Sequence, residues 1–388
     1  MGESAASATG YPHRVLVVGL GGMGSSAAAE LARRGRSVLG FDRYAPVHDR
    51  GSSHGKIRLI RQAYFEDPAY VPMLFRAYER WRDLESLTGR DLLRETGGLM
   101  IGPPASRTVV GSRTSAEQWG IAHELLSPGD VARRWPTFTL ARDDVALYER
   151  HAGFVAPEAT VDAQLELARG SGAELHFEEP VLGWTVEAAG VEVTTAGGRY
   201  RGSHLVVAAG AWAPRLLEEL GLPLAVERHV QFWLEPKDRI ERYLPTRHPV
   251  FVWEDSLGTQ AYGFPATDGQ ARSVKVALFR DGTPADPGTL QRRVAPVEAE
   301  RLLAFLASRI PGLGPKVHDA VPCMYTTSPD MHFVLGFAPG EPRVVVCSPC
   351  SGHGFKFVPV IGEIVADLVE NGASRFDLSL FDPSRFAP

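Results

Sequence analysis

Cysteine is scarce, with three in 388 residues, too few for a disulfide framework or a four-thiolate zinc site. Excess charge of either sign is scarce too. A formal net charge of −5 leaves no basic footprint for nucleic acid. No apolar run is long enough to span a bilayer, and the opening MGESAASATGYP lacks the basic and apolar regions of a signal peptide. That opening reads as a disordered lead-in. Ala6 breaks the myristoylation pattern, and the final SRFAP is not an SKL-type ending. The expected location is the cytoplasm. Low complexity is also missing: 44% hydrophobic and 22% charged residues are ordinary values, and 40 Gly with 29 Pro call for many ordered loops. The expectation is a globular chain of two or three domain-sized units, with no nucleic-acid or membrane partner and no metal.

What is present begins at His13–Asp42, HRVLVVGLGGMGSSAAAELARRGRSVLGFD. Arg14 to Val18 has the β-branched, apolar character of a strand buried on both faces of a parallel sheet. Gly19, Gly21 and Gly24 spell G-x-G-x-x-G, with Gly22 and Met23 between them, and a helix of small and long residues runs from Ser25 to Arg34 before Gly35 stops it. The glycines allow a tight turn, close approach to a pyrophosphate, and close packing of helix on strand. Phosphates then face a helix N-terminus. A second strand, Ser37 to Phe41, ends at Asp42, about twenty residues beyond the glycines, where a carboxylate can meet a ribose. Strand, turn, helix and acid together predict dinucleotide binding.

Arg43 to Glu66 follows, polar and rich in glycine. Its His54, Lys56, Arg58 and Arg61 gather cations near the carboxyl ends of the strands, where open α/β sheets bind ligands. A solvated basic face is the plain reading. Ile57, Leu59 and Ile60 alternate with the charges and favour a semi-buried segment instead. Helical patterns cover Tyr70–Thr88, Arg107–Trp119 and Ser127–Trp135, and Leu92–Ile101 reads as one strand with a glycine bend. Asp144–Ala168 leads from strand to loop to helix. Glu174–Phe177, Val181–Glu187 and Val191–Thr195 read as a three-strand meander.

His204–Leu217 runs a buried strand into Ala209-Gly210-Ala211-Trp212 and then a helix, small residues letting the chain pass close to a ligand. Its distance from the first glycine turn suits FAD enzymes better than NAD dehydrogenases. Between Val226 and Val321 the pattern is antiparallel strands, with helix at Val297–Ile310. Lys275 lies in one of these strands. By position alone it reads as a solvated edge charge. Cys323 reads as a buried structural cysteine. Cys347 and Cys350 form C-x-x-C outside a thioredoxin-type context and read as packing.

Four blocks, GLGGMG, GSSHGKIRLIRQAY, CMYTTSPDMHF and SGHGFKF, occur in order and at family-like separations. Together they resemble the monomeric sarcosine oxidase and N-methyltryptophan oxidase family, within the glycine-oxidase-like flavoproteins, over nearly the whole chain. The resemblance implies an α/β (α+β overall) chain: a Rossmann-like FAD-binding domain from 1–90, 145–225 and 322–388, and a mainly antiparallel substrate domain from 91–144 and 226–321. It implies FAD joined covalently to Cys323, and a substrate carboxylate held by Arg61 and Lys356. It places Tyr262 and Tyr325 beside the substrate and Lys275 over the flavin, promoting reaction with O2. Arg43, Ser52, His54, Arg58, Gly210, Gly352, His353 and Gly354 join the glycine turn and Asp42 around the cofactor.

The activity implied is oxidation of a secondary (N-methyl) or cyclic amino acid to an imine, with O2 reduced to H2O2, by a monomer. The alternatives are an aromatising oxidase of a cyclic imino acid, a flavin dehydrogenase with another acceptor, and a flavin-binding protein without turnover. Two departures are visible. Pro265 to Lys275 is about two residues longer than in the sarcosine enzyme, and Phe279 stands where that enzyme has a histidine. An aromatic in place of a histidine leans the expected substrate toward a bulkier or more apolar amine.

Overall fold

A computed structural model describes residues 14–267 and 273–386. The N-terminal lead-in, the last two residues and part of the lengthened Pro265–Lys275 segment lie outside the described residues. Arg14–Val18 is a strand between Ser37–Phe41 and His204–Val207, parallel to both. It is the interior of a six-stranded sheet that runs Val334–Ala338, Glu341–Ser348, His204–Val207, Arg14–Val18, Ser37–Phe41, Glu174–His176. Only the Val334–Ala338 hairpin is antiparallel.

The apolar runs make this arrangement because both faces are covered. Val15 and Val17 pack with the helices Gly22–Arg33 and Val358–Asn371, whereas Leu16 and Val18 pack with Val191 and Val193 of a small sheet on the other side. Each such side chain, fully buried, contributes about 1.5–3 kcal/mol. The first helix begins at Gly22, earlier than Ser25, so Gly24 sits inside its first turn. A Cβ on Gly24 would lie 1.7 Å from the Gly19 carbonyl oxygen. No side chain fits there.

A second, nine-stranded sheet is antiparallel throughout except where Val250–Glu254 runs parallel to Gly98–Gly102. Its long ribbon pairs Ala225–Pro236 with Leu313–Thr327, bringing His229 opposite Cys323. The sheet also takes Val145–Glu149 and the whole of Leu313–Thr327, both of which cross into ranges that the sequence reading gave to the nucleotide domain. A third sheet joins Arg58–Ile60, Gly153–Val155 and Leu93–Glu95, and so anchors the cationic segment between the other two.

Several local expectations need correction. Leu92–Ile101 is two strands in different sheets, Leu93–Glu95 and Gly98–Gly102, because the chain turns at Gly97, whose φ is +72°. Glu174–His176 is no part of a meander. It pairs in parallel with Ser37–Phe41, and the meander is Val181–Glu187, Gly190–Thr195 and Arg199–Gly202. The helix placed at Val297–Ile310 is a 3₁₀ turn, Pro296–Ala299, followed by Glu300–Leu306. Lys275 is no edge charge, since its strand Val274–Phe279 lies between Ala225–Pro236 and Gln260–Gly263, and the residue is fully buried. Among the described residues, no helix is long and apolar enough to cross a membrane.

Candidate active site

Where the sheets meet, a cavity of about 390 Å³ runs from the glycine turn to the SGHGFKF loop. Gly19, Gly21, Gly22 and Met23 line one end with Asp42 and Arg43. Gly19 has φ +89°, and a Cβ there would stand 2.5 Å from the Ala208 carbonyl oxygen, so the turn can close only with glycine. The Asp42 carboxylate accepts from the Leu20 and Tyr44 N–H groups at 2.8 and 2.9 Å, fixing the strand end against the turn. Ser53 Oγ accepts from the Gly22 N–H at 2.9 Å, and Ser52 Oγ donates to the Met324 carbonyl at 2.8 Å. The serines tie the cationic segment to helix and ribbon. Gly210 and the Trp212 ring, with Arg43 5.8 Å from the ring centre, complete this end.

The far end is cationic. Arg61 is 2% exposed, its Nη2 donating to Glu66 Oε2 at 2.6 Å and its Nη1 to the Ala63 carbonyl at 2.8 Å, while its Nε has no partner. Burial pushes Glu66 up, yet the Arg61 guanidinium overrides it and holds that carboxyl down at about 2. Lys356 Nζ donates to the His353 carbonyl at 2.6 Å and lies 3.4 Å from the Tyr64 hydroxyl. Burial, and then Arg61, push Lys356 down to about 7.

His353 is a neutral relay in this cluster. Its Nε2 meets the Met331 carbonyl at 3.1 Å, which can only accept, so Nε2 carries the proton and Nδ1 accepts from the Tyr64 hydroxyl at 2.6 Å. Burial holds its pKa down at about 3, in keeping with that tautomer. Trp81 Nε1 donates to the Lys356 carbonyl at 2.8 Å, so the helix Val71–Thr88 sets the height of the lysine.

Tyr262, Tyr325, Phe65 and Phe279 give the walls, with Cys323 beside Tyr325 on the ribbon. Burial pushes the Cys323 thiol up, and Arg58 opposes that by favouring the thiolate. Arg58 Nη1 is 3.2 Å from Gln231 Oε1 and its Nη2 is 3.1 Å from the Ser52 carbonyl. Gly352 and Gly354 also line the cavity. Cys347 and Cys350 line it as free thiols, both pushed up by burial.

Three of the residues expected at the site do not line the cavity. Gly24 acts through packing. His54 is buried behind the wall, pushed down to about 3 by burial and then by Arg58 and Lys275. Lys275 stands behind it too, Nζ donating to the Gly55 and Ile57 carbonyls at 2.6 and 2.7 Å and lying 5.3 and 5.2 Å from the Trp233 and Phe264 rings. Burial pushes its pKa well down, while the carbonyls and ring faces favour the ammonium. Sequence reasoning missed Glu66, Tyr64, Ser53 and Gln231. Only Glu66 left a trace, as an acid five residues after Arg61.

The residues present fit a flavin dinucleotide. The turn opens a helix N-terminus onto the cavity. Thr326 Oγ1 and Gln231 Nε2, both on cavity-lining residues, are buried without a protein partner, as a ligand rich in acceptors and donors requires. Comparison with known proteins agrees. The family described as FAD dependent oxidoreductase (DAO) matches residues 14–368. Monomeric sarcosine oxidase of Streptomyces avermitilis is 48% identical over 374 residues, covering 96% of this chain and 97% of that protein. N-methyl-L-tryptophan oxidase of Salmonella heidelberg is 33% identical, covering 96% of this chain and 99% of that protein. Among solved structures NikD, described as an unusual amino acid oxidase essential for nikkomycin biosynthesis, superposes with a TM-score of 0.83 at 26% identity over 96% of this chain and 97% of its own. Glycine oxidase from Geobacillus kaustophilus has the same fold, with a TM-score of 0.79 at 22% identity over 97% and 100% of the chains. The chain therefore belongs to the FAD dependent oxidoreductases and, within them, to the family of monomeric sarcosine oxidase and N-methyltryptophan oxidase, flavoproteins that oxidise amines.

Proposed function

We propose that this chain is an oxidase of secondary amino acids, N-methylated or cyclic, that forms an imine and passes the electrons to O2. The observation that carries the reading is the pairing, in one cavity, of a dinucleotide-binding turn with a buried cationic end and aromatic walls. Arg61 and Lys356 hold the substrate carboxylate, since two cations flanking an anion give both charge and direction. For this Arg61 turns part of its guanidinium from Glu66, and its partnerless Nε gains an acceptor. Tyr262 and Tyr325 exclude water and orient the amine so that one C–H bond beside nitrogen faces the cofactor. When bound, FAD supplies the two-electron acceptor for that C–H bond, with O2 as final acceptor leaving as H2O2.

Cys323 is the proposed attachment point of the cofactor, with Arg58 as the cation that favours its thiolate. Lys275, held by two carbonyls, is the proposed fixed charge that stabilises negative charge developing on oxygen. Two experiments test the reading. In the first, purified yellow protein is precipitated with acid: colour in the pellet supports Cys323 attachment, and colour in the supernatant excludes it. In the second, a panel of N-methyl and cyclic amino acids is assayed under air for peroxide and with an artificial acceptor. Turnover with the acceptor but no peroxide would show a dehydrogenase instead. The Arg61→Ala variant is expected to raise KM for carboxylate substrates strongly, and equal activity of the wild type on amines without a carboxylate would overturn the clamp.

A further inference from the structure

Arg280 follows directly on the strand Val274–Phe279 and has φ +58°, a left-handed conformation unusual for a residue with a Cβ. Its guanidinium carbon lies 4.8 Å from the centre of the Phe279 ring, and that ring lines the cavity. The Arg280 Nε and Nη2 are buried and have no hydrogen-bond partner. Nearby carboxylates are already engaged. Asp281 pairs with Arg301 at 2.5 Å, and Glu66 pairs with Arg61 at 2.6 Å.

Charge bookkeeping around the far end makes the surplus plain. Arg61, Lys356 and Arg280 all act on Glu66, the one anion among them. Arg107 adds more positive charge beside Arg280. A substrate α-carboxylate offsets one of the two remaining cations, and Arg280 is left over. An arginine fork with orphaned N–H groups matches a planar carboxylate. The two guanidinium groups lie on opposite sides of an aromatic pair: Arg61 is 4.2 Å from the Phe65 ring centre, Phe65 meets Phe279 edge-on at 6.5 Å, and Arg280 caps Phe279.

We propose that Arg280 is a second anion subsite, and that the preferred substrate is a secondary amino acid bearing a second carboxylate, placed across the Phe279 ring from the first. This rests on the amino-acid oxidase reading of the cavity and adds the substrate class to it. Bulk beyond the α-carbon is accommodated, as the exchange of a family histidine for Phe279 suggests, but the far tip of that bulk is charged.

The test uses holoenzyme and matched five-carbon probes. Glutarate and pentanoate are titrated against the flavin absorption, and N-methylglutamate and N-methylnorvaline are compared by kcat/KM. The expected preference for the dicarboxylate is at least about tenfold in both pairs. Arg280→Gln should collapse that ratio toward one, and Arg280→Lys should keep most of it, which separates lost charge from lost fold. A wild-type ratio near one, or a ratio unchanged in Arg280→Gln, overturns the subsite. If that happens while N-methylnorvaline is still oxidised, the oxidase reading stands alone. If the ratio appears in the titration and neither amino acid is oxidised, the subsite stands and the oxidase reading falls.

Discussion

The imidazole of His229 lies against the phenol ring of Tyr325, ring centres 3.8 Å apart and planes 25° from parallel, with His229 Nε2 held 3.0 Å from Glu227 Oε2. The substrate-side tyrosine is thus backed by a histidine that is itself tethered, and its ring cannot tilt away from the cavity without breaking the stack. A stacked pair is worth about 0.5–1.5 kcal/mol. His229→Ala should therefore lower kcat/KM about two- to tenfold. Gly282→Ala should act in the same direction, because a Cβ there would meet His229 Nε2 at 2.3 Å and drive the imidazole toward Tyr325. Steady-state kinetics on well-folded variants checks both, and full activity in Gly282→Ala would show that the ring has room to move.

Gly24→Ala should lose the cofactor. The new methyl would overlap the Gly19 carbonyl, so helix and turn must separate, at a cost of about 1–3 kcal/mol. The ratio of flavin to protein absorbance should fall and the melting temperature with it.

Substrate affinity should depend on pH through Lys356, pushed down to about 7 by burial and then by Arg61. Below that pH the lysine is charged and draws the carboxylate. Above it the free enzyme loses the charge, so kcat/KM should fall, with an apparent pKa near 7 in the pH profile. Lys356→Gln should flatten that limb, and a wild-type profile flat between pH 6 and 8 would exclude the lysine as the titrating group.

Acid should destabilise the fold early. Burial holds His54, His248 and His353 down at about 3 in the folded chain, against 6.5 when unfolded. The unfolded chain therefore takes up protons first. Stability is fully present above about pH 6.5 and is lost as pH falls toward 3, by up to about 1.4 kcal/mol per histidine per pH unit. Thermal melts across pH 7 to 4 should show the decline, and His248→Gln, remote from the cavity, should make it shallower.

Lys275→Met should separate the two halves of turnover. Anaerobic reduction by substrate should persist, while reoxidation by O2 should slow about a hundredfold, the scale for removal of one fixed charge at a reacting centre. Stopped-flow mixing of reduced enzyme with O2 reads this directly, and unchanged reoxidation would assign Lys275 to packing.

The glycine turn, the Asp42 strand end and the helix Val71–Thr88 were legible because each rests on local chemistry: special φ, a buried run, a 3.6-residue period closed by Gly89. The four blocks carried the site. What stayed hidden depends on contacts between distant segments. Nothing near Lys275 in the chain says that the carbonyls of Gly55 and Ile57 will cover it, so a strand lysine reads as exposed when it is fully buried. Arg61 reads as a free cation, because its engagement with Glu66 depends on how the Ala63–Phe65 turn folds back. Glu174–His176 and the neighbouring meander strands look alike in sequence, and only their partners tell a central sheet from a peripheral one.

The ribbon Ala225–Pro236 with Leu313–Thr327 keeps a continuous register from Ala225 to Trp233 and shifts only beyond Trp233. Alternate residues along a strand face opposite ways, so a single inserted or deleted residue in the regular part would turn Cys323 and Tyr325 together to the wrong side. Length changes are absorbed at the irregular end alone. In evolutionary terms, the cofactor anchor and the substrate wall share one ruler: lineages can edit its blank end freely, while at the marked end they can exchange residues but not count them differently.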